Sequence, residues 1–307
     1  MVAGPNDKEA VGADRRLVYL DYTQAELDRA YTQTEWAPNS RDVLARQARQ
    51  SAELRARMPP TTFQYGESAA ETLDVFGAGC GEGRAIHVHV HGGGWRSLSK
   101  DDVSFAAPAF VDAGAIYVAV NFATIPAVRL PDMVAQVQRA MVWLYNHAAE
   151  FGGNPKRIHL SGHSSGGHLA AVLLTTDWRN RFDLPADVIK SGLLMSGIYD
   201  LEPVMLSVRR DYVTISKEEE ILLSPLRHVE MLRAPVLVVY GNHESPEFKR
   251  QAAGFVDAAS EAARSTRLLS VGDLNHFEVL DALADPDGEV GRWALAAMGV
   301  SEARASR

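Results

Sequence analysis

The chain has 307 residues, 46% of them hydrophobic, enough for a substantial core and compatible with one α/β domain. Lysine and arginine number 31 against 39 aspartates and glutamates, a formal charge of −8 with no basic patch, which argues against a nucleic-acid partner. A single cysteine, Cys80, excludes an internal disulfide framework and fits a reducing cytoplasm.

No apolar run approaches the ~20 residues of a membrane span, and the stretch Met1–Arg16 lacks the apolar centre of a signal peptide. The expected setting is therefore cytoplasmic, with no membrane partner. Residues 1–18, with Gly4, Pro5 and Gly12, read as a loose tail, and 19–307 as a single domain without a glycine-rich linker. Its first part, 19–60, is expected to be helical over Asp21–Met58. Ser40 would cap a segment carrying Val43, Leu44, Ala48, Ala52 and Leu54, and Pro59-Pro60 would stop it. That apolar stripe is weak, so the segment is expected to form a small helical cap over something else.

From Thr61 the pattern changes to strands. Phe63–Tyr65 and Leu73–Phe76 are short ones, and the glycine-rich turn 77–83, which holds Cys80, follows them. Ala85–His91 runs straight into Gly92-Gly93-Gly94-Trp95, and Ala115–Phe122 is nearly continuous in apolar residues, as in a strand covered on both faces. Pro131 opens a helix in which Val134, Val137, Met141, Leu144, Tyr145 and Ala148 keep the 3.6-residue period, and Gly152-Gly153 ends it. Further strands are expected at 157–161, 189–195, 235–240 and 268–271. A helix opened by Ser245-Pro246 lies between the last two, and Asp281–Met298 reads as a closing helix. This alternation indicates a mainly parallel sheet with helices on both faces. Residues 199–232 break the rhythm and read as an insertion over the C-terminal strand ends, where such sheets bind ligands.

Gly162-His163-Ser164-Ser165-Gly166 falls where a strand gives way to a small-residue helix. A serine on such a turn stands clear of the sheet, and the helix start behind it offers free N–H groups to a developing oxyanion. Its hydroxyl needs a base, and the base needs an acid to set its tautomer. Glu244 and His276 follow Ser164 in the order acid then histidine, each just past a later strand. Asp273 and Asp200 are rival acids, and His243 and His228 rival bases. The glycines after His91 free the N–H groups of Gly93 and Gly94 to point inward, with a further donor from Ser165. Trp95 and Tyr199 are candidate aromatic walls for a substrate, or core packing. His87, His89 and His91 share one face of a strand and invite a zinc reading, but no carboxylate lies nearby at metal spacing, so no metal and no cofactor is expected. His163 and His168, flanking the serine, read as packing or turn-shaping residues.

These residues resemble the α/β-hydrolase superfamily, and within it the kynurenine formamidase (arylformamidase)-like branch and the neighbouring hormone-sensitive-lipase-like esterases. The resemblance rests on His91–Trp95, Val128-Arg129-Leu130-Pro131, Gly162–Leu169, the run 196–203, Leu223-Ser224-Pro225 and the run 244–251, and covers about residue 20 to the C-terminus. It implies an α/β-hydrolase fold with Ser164 as nucleophile, His276 as base and residue 244 as acid. Such enzymes usually carry aspartate at the last position, where this chain has glutamate. The implied activity is metal-independent cleavage of a small acyl group from an aryl amide such as N-formylkynurenine, through an acyl-enzyme. A carboxylesterase or another aryl amidase is the alternative, and a non-catalytic binding protein of the same fold a remote one. The partner is a small aryl amide or ester, and the surface helices allow a homodimer.

Overall fold

The structure, a computed structural model, describes residues 16–300. The eight-stranded sheet at its centre runs in the order β10-β9-β8-β7-β5-β6-β4-β3. Its strands are β3 (Thr61–Gln64), β4 (Thr72–Phe76), β5 (Arg84–Val90), β6 (Ile116–Val120), β7 (Gly153–His163), β8 (Ile189–Met195), β9 (Val236–Gly241) and β10 (Thr266–Val271). From β6 to β10 every pairing is parallel, whereas β3 and β4 pair antiparallel at one edge.

The near-continuous apolar strands follow from this arrangement, because successive side chains feed opposite layers. Ile86, Val88, Ile116, Val118, Val236 and Val238 join one core, while Ala85, Tyr117, Ala119, Leu237 and Val239 join the other. The first core is closed by α3 (Leu130–His147), α4 (Ser165–Leu174) and α5 (Pro246–Glu261). The second is closed by Leu54 of α2 (Ser40–Arg57), the short helix Ala107–Val111 and α6 (Glu289–Ala297). Fully buried Phe248, Ala252, Phe255 and Ala259 form the inner stripe of α5, and the Ser245 hydroxyl caps it by accepting the Phe248 N–H.

Four sequence expectations are corrected. Of the expected tail, residues 1–15 lie outside the described residues, but Leu17 and Val18 already belong to a two-stranded ribbon, β1 (Leu17–Tyr19) with β2 (Tyr22–Thr23). The expected helix over Asp21–Met58 is two helices, α1 (Gln24–Tyr31) and α2, separated by a 3₁₀ turn at Gln33–Glu35 and by Pro38. Ser40 does not cap α2; it is the first helical residue, and Asn39 holds the cap position. The closing helix is likewise broken, into Asp281–Ala284 and α6, because Pro286 cannot donate a backbone hydrogen bond and biases the residue before it, Asp285, to its extended conformation (φ −97°, ψ 99°).

The weak apolar stripe of α2 has a direct explanation. Its buried face is Ser40, Val43, Gln47, Ser51 and Leu54, mostly polar residues that hydrogen-bond neighbouring loops. The Ser51 hydroxyl donates to the Asp102 carbonyl at 2.9 Å, and Gln47 donates to Phe277 O at 3.0 Å and to Asp281 at 2.9 Å. The cap is thus held by polar anchors over the C-terminal strand ends. No helix among the described residues is long and apolar enough to cross a membrane.

Candidate active site

Strand register brings the chemistry-bearing loops together. Val90 of β5 pairs with Gly162 of β7, so two residues further on Gly92 and Ser164 leave the sheet side by side. A Cβ on Gly92 would lie 3.2 Å from Ser164 Cβ and 2.9 Å from His163 O. Beneath the turn, a Cβ on Gly166 would lie 2.2 Å from Val90 O, so only glycine lets α4 start this close to β5. Ser164 itself has φ 55° and ψ −123°, a sparsely populated conformation that lifts its side chain off the sheet. Its N–H is held by Met195 O at 2.9 Å.

Two neighbouring strands deliver the partners. Gly241 pairs with Val271, and Glu244 and His276 follow these strand ends by three and five residues. His276 Nε2 lies 2.9 Å from Ser164 Oγ, and His276 Nδ1 lies 2.9 Å from Glu244 Oε2. The other carboxylate oxygen, Glu244 Oε1, accepts from Ser196 Oγ and from the Gly241 N–H, both at 2.7 Å. All three side chains are buried, and the line from Ser164 through His276 to Glu244 is unbroken.

The rival groups lie elsewhere. Asp200 accepts from Arg227 at 3.2 Å inside the insertion. Asp273 is exposed, with the exposed His243 3.9 Å away, and His228 donates to Ile221 O at 3.0 Å.

A cavity of about 200 Å³ opens at Ser164, lined among others by Gly92–Gly94, Leu98, Val103, His163, His276, Phe277 and Leu280. The cap adds Gln33, Thr34, Leu44 and Gln47, so the segment 19–60 forms one wall; the insertion contributes Arg209 alone. Gly93, with φ 105°, turns the loop so tightly that a Cβ would meet Ser97 O at 1.9 Å. The N–H groups of Gly93, Gly94 and Ser165 donate to no acceptor among the described residues.

Trp95 and Tyr199 do not line the cavity. Trp95 is 1% exposed, packed edge-on against His168, and Tyr199 is fully buried and stacked on Phe255 at 4.5 Å. Large rings release more free energy inside a dry core than on a wet wall. Trp95 contributes through its backbone instead, its N–H donating to Ser165 Oγ at 3.1 Å.

The alternating histidines are structural as well. His87 and His89 share the Ser161 hydroxyl at 2.7 and 2.8 Å, and His87 stacks on Phe110. Burial pushes His89 down to about 3 and His91 to about 4, so both are uncharged at neutral pH. Among the described residues the one group of three metal-ligating side chains is Asp200, Glu202 and Glu220, and Arg227 bridges all three carboxylates within 3.5 Å.

Three residues enter the site that the sequence order did not single out for it. Ser196 holds the far oxygen of Glu244. His163, weighed as a packing residue, lines the cavity and donates through Nε2 to the His276 carbonyl at 2.7 Å. Burial, reinforced by the neighbouring His276, holds His163 well below the ordinary histidine value, so it is neutral. Arg209 reaches the cavity from 178 residues beyond Tyr31, whose carbonyl it binds. No local spacing signals a contact of that range.

Phe248 backs His276 edge-on, with ring centroids 4.9 Å apart, and is fully buried. Phe248→Ala is expected to cost about 3–5 kcal/mol of stability, read as a lower urea midpoint at unchanged slope.

A family model described as BD-FAE matches residues 73–192. Kynurenine formamidase of Danio rerio is 31% identical over 289 residues, covering 90% of this chain and 97% of that protein. The chain belongs to the kynurenine formamidase family of α/β-hydrolases. Among solved structures, a proposed thioesterase of Silicibacter sp. TM1040 superposes with a TM-score of 0.77 at 26% identity, covering 88% of this chain and 98% of that one. An esterase of Pyrobaculum calidifontis shares the fold, with a TM-score of 0.65 at 18% identity over 85% of this chain and 94% of its own. Membership of this family makes the protein an α/β-hydrolase acting on amides or esters.

Proposed function

We propose that the protein is a serine hydrolase of the arylformamidase type, cleaving a small acyl group from an aryl amide through an acyl-enzyme. The observation that carries this reading is the unbroken hydrogen-bonded line from Ser164 through His276 to Glu244, opening on one cavity beside unpaired N–H groups. With Glu244 accepting the Nδ1 proton, His276 presents the Nε2 lone pair to the Ser164 hydroxyl. Ser164 Oγ attacks the carbonyl carbon as its proton passes to Nε2. The carbonyl oxygen becomes an oxyanion facing the N–H groups of Gly93, Gly94 and Ser165. The Nε2 proton then goes to the leaving amine nitrogen as the C–N bond breaks. Water, deprotonated by His276, attacks the acyl-enzyme; its ester bond breaks, Ser164 recovers its proton and the carboxylic acid leaves.

The cavity favours a small substrate. An apolar space of about 150 Å³ admits a benzene ring, and this one, at about 200 Å³, has Leu44, Leu98, Val103, Phe277 and Leu280 as apolar walls. That size accommodates a single aryl ring with a one- or two-carbon acyl group. The kynurenine formamidase relative favours formyl as that group.

The test is a comparison of kcat/KM on N-formylkynurenine, an aryl acetamide and p-nitrophenyl acetate. A preference for the formyl amide of at least about tenfold, worth roughly 1.4 kcal/mol in the transition state, is expected. A preference for both acetyl substrates would overturn the formamidase reading and leave an esterase in its place.

A further inference from the structure

Among the described residues Arg209 is the one formally charged side chain on the cavity wall, in a protein whose net charge is −8, and no described aspartate or glutamate lines the cavity. It is 7% exposed, and no carboxylate among the described residues lies within ion-pair distance of it. Nε and Nη2 donate to the Tyr31 carbonyl at 3.2 and 3.1 Å, and Nη1 is buried without an acceptor among the described residues. The buried carboxylates close by are already committed. Glu247 is taken by Arg250 at 2.7 Å and by the Tyr31 hydroxyl, and Glu244 by His276. What surrounds the guanidinium is aromatic, with Tyr31, Trp95 and Phe248 rings at 5.5, 5.6 and 5.7 Å.

Such rings offset part of the cost of burying a cation, but an unpaired guanidinium edge in a dry site remains expensive. A buried charge is ordinarily paired, and Arg209 lines the cavity that holds Ser164. Gln33 lines the same cavity: its Oε1 is buried without a donor among the described residues, while its amide nitrogen is held by Ala30 O at 2.8 Å.

We propose that Arg209 is the counter-ion for a carboxylate on the substrate, so that the enzyme selects anionic aryl amides or esters over neutral ones. The inference rests on the serine-hydrolase reading for the position of the reacting bond. The planar guanidinium edge matches a carboxylate, and Gln33 Oε1 can accept an N–H from the same substrate. Arg209 touches neither the scissile bond nor His276; it acts on binding.

The test follows acetyl release from 2-acetoxybenzoate and from its methyl ester, a pair in which one methyl group removes the charge, and it requires no formamidase activity. Arg209→Met is expected to lower the acid-to-ester ratio of kcat/KM by about 10- to 100-fold, mainly by raising KM for the acid. Arg209→Lys, which keeps the charge without the fork, should recover part of that loss. An unchanged ratio in folded Arg209→Met would overturn the proposal.

Because Arg209 also anchors Tyr31, wild-type protein supplies a check that does not depend on the variant folding. Benzoate should bind at least about tenfold more tightly than benzamide by calorimetry. Equal or weaker benzoate binding overturns the proposal. An inactive Ser164→Ala with an unmoved acid-to-ester ratio removes the Arg209 assignment alone. An active Ser164→Ala removes the serine reading, and the benzoate comparison still judges Arg209.

Discussion

Replacing Ser164 with alanine is expected to lower kcat by about 10⁶, a loss of roughly 8 kcal/mol of transition-state stabilisation. The size follows from the site's geometry. Among the described residues Ser164 Oγ is the one hydroxyl within hydrogen-bond reach of His276 Nε2, whereas the nearby Ser97 hydroxyl donates to Gly93 O at 3.0 Å and has no base beside it. Stability should be little affected, because the hydroxyl bonds no side chain but His276 and the turn is built by glycines and backbone. Residual turnover would come from the N–H donors acting on water attack. The measurement is single-turnover hydrolysis with a thermal melt of the same sample. A folded variant within tenfold of wild type would remove Ser164 as nucleophile.

Glu244→Gln is the second large effect, expected at about 10³–10⁴ in kcat. One carboxylate serves three donors: Oε2 takes the His276 Nδ1 proton, and Oε1 takes the Ser196 hydroxyl and the Gly241 N–H. An amide has a single acceptor oxygen and must leave one side unmet. If its nitrogen faces His276, the imidazole is driven to carry its proton on Nε2, where it cannot accept one from Ser164. If its nitrogen faces Gly241, two donors collide in a buried place. Either way a buried polar group is left unpaired, a further cost of about 1–3 kcal/mol in stability. The measurements are steady-state kcat and a urea titration. A rate within about tenfold of wild type would show that His276 is oriented by something other than Glu244.

Glutamate in place of aspartate is accommodated by the loop itself. Residue 244 closes a turn in which its N–H donates to Gly241 O at 3.1 Å while its carboxylate accepts the Gly241 N–H at 2.7 Å. The extra methylene is absorbed by folding the side chain back against the end of β9. Ser196 then fixes the far oxygen, with its own backbone at φ 51° just past β8. Four adjacent strand ends, those of β7, β8, β9 and β10, therefore each supply one member of the line from Ser164 to Ser196.

The sequence by itself determined the sheet, its helical cover and the order of Ser164, Glu244 and His276, each just past a strand. Those features are written in local patterns: apolar runs bounded by glycine and proline, a 3.6-residue stripe on α3 and α5, and glycines that only a tight turn requires. The breaks at Pro38 and Pro286 were equally local, and were hidden by helical composition on both sides of each proline.

Tertiary structure decided the rest. Trp95 and Tyr199 are aromatic residues near the site in sequence, yet the core claims both rings, because burial in a dry interior outweighs exposure on a cavity wall. Arg209, Gln33 and Ser196 enter the site from segments far apart along the chain, through contacts that no spacing rule encodes. Which buried charge is paired and which is left open depends on where every other carboxylate has gone, and that is settled only when the whole chain is packed.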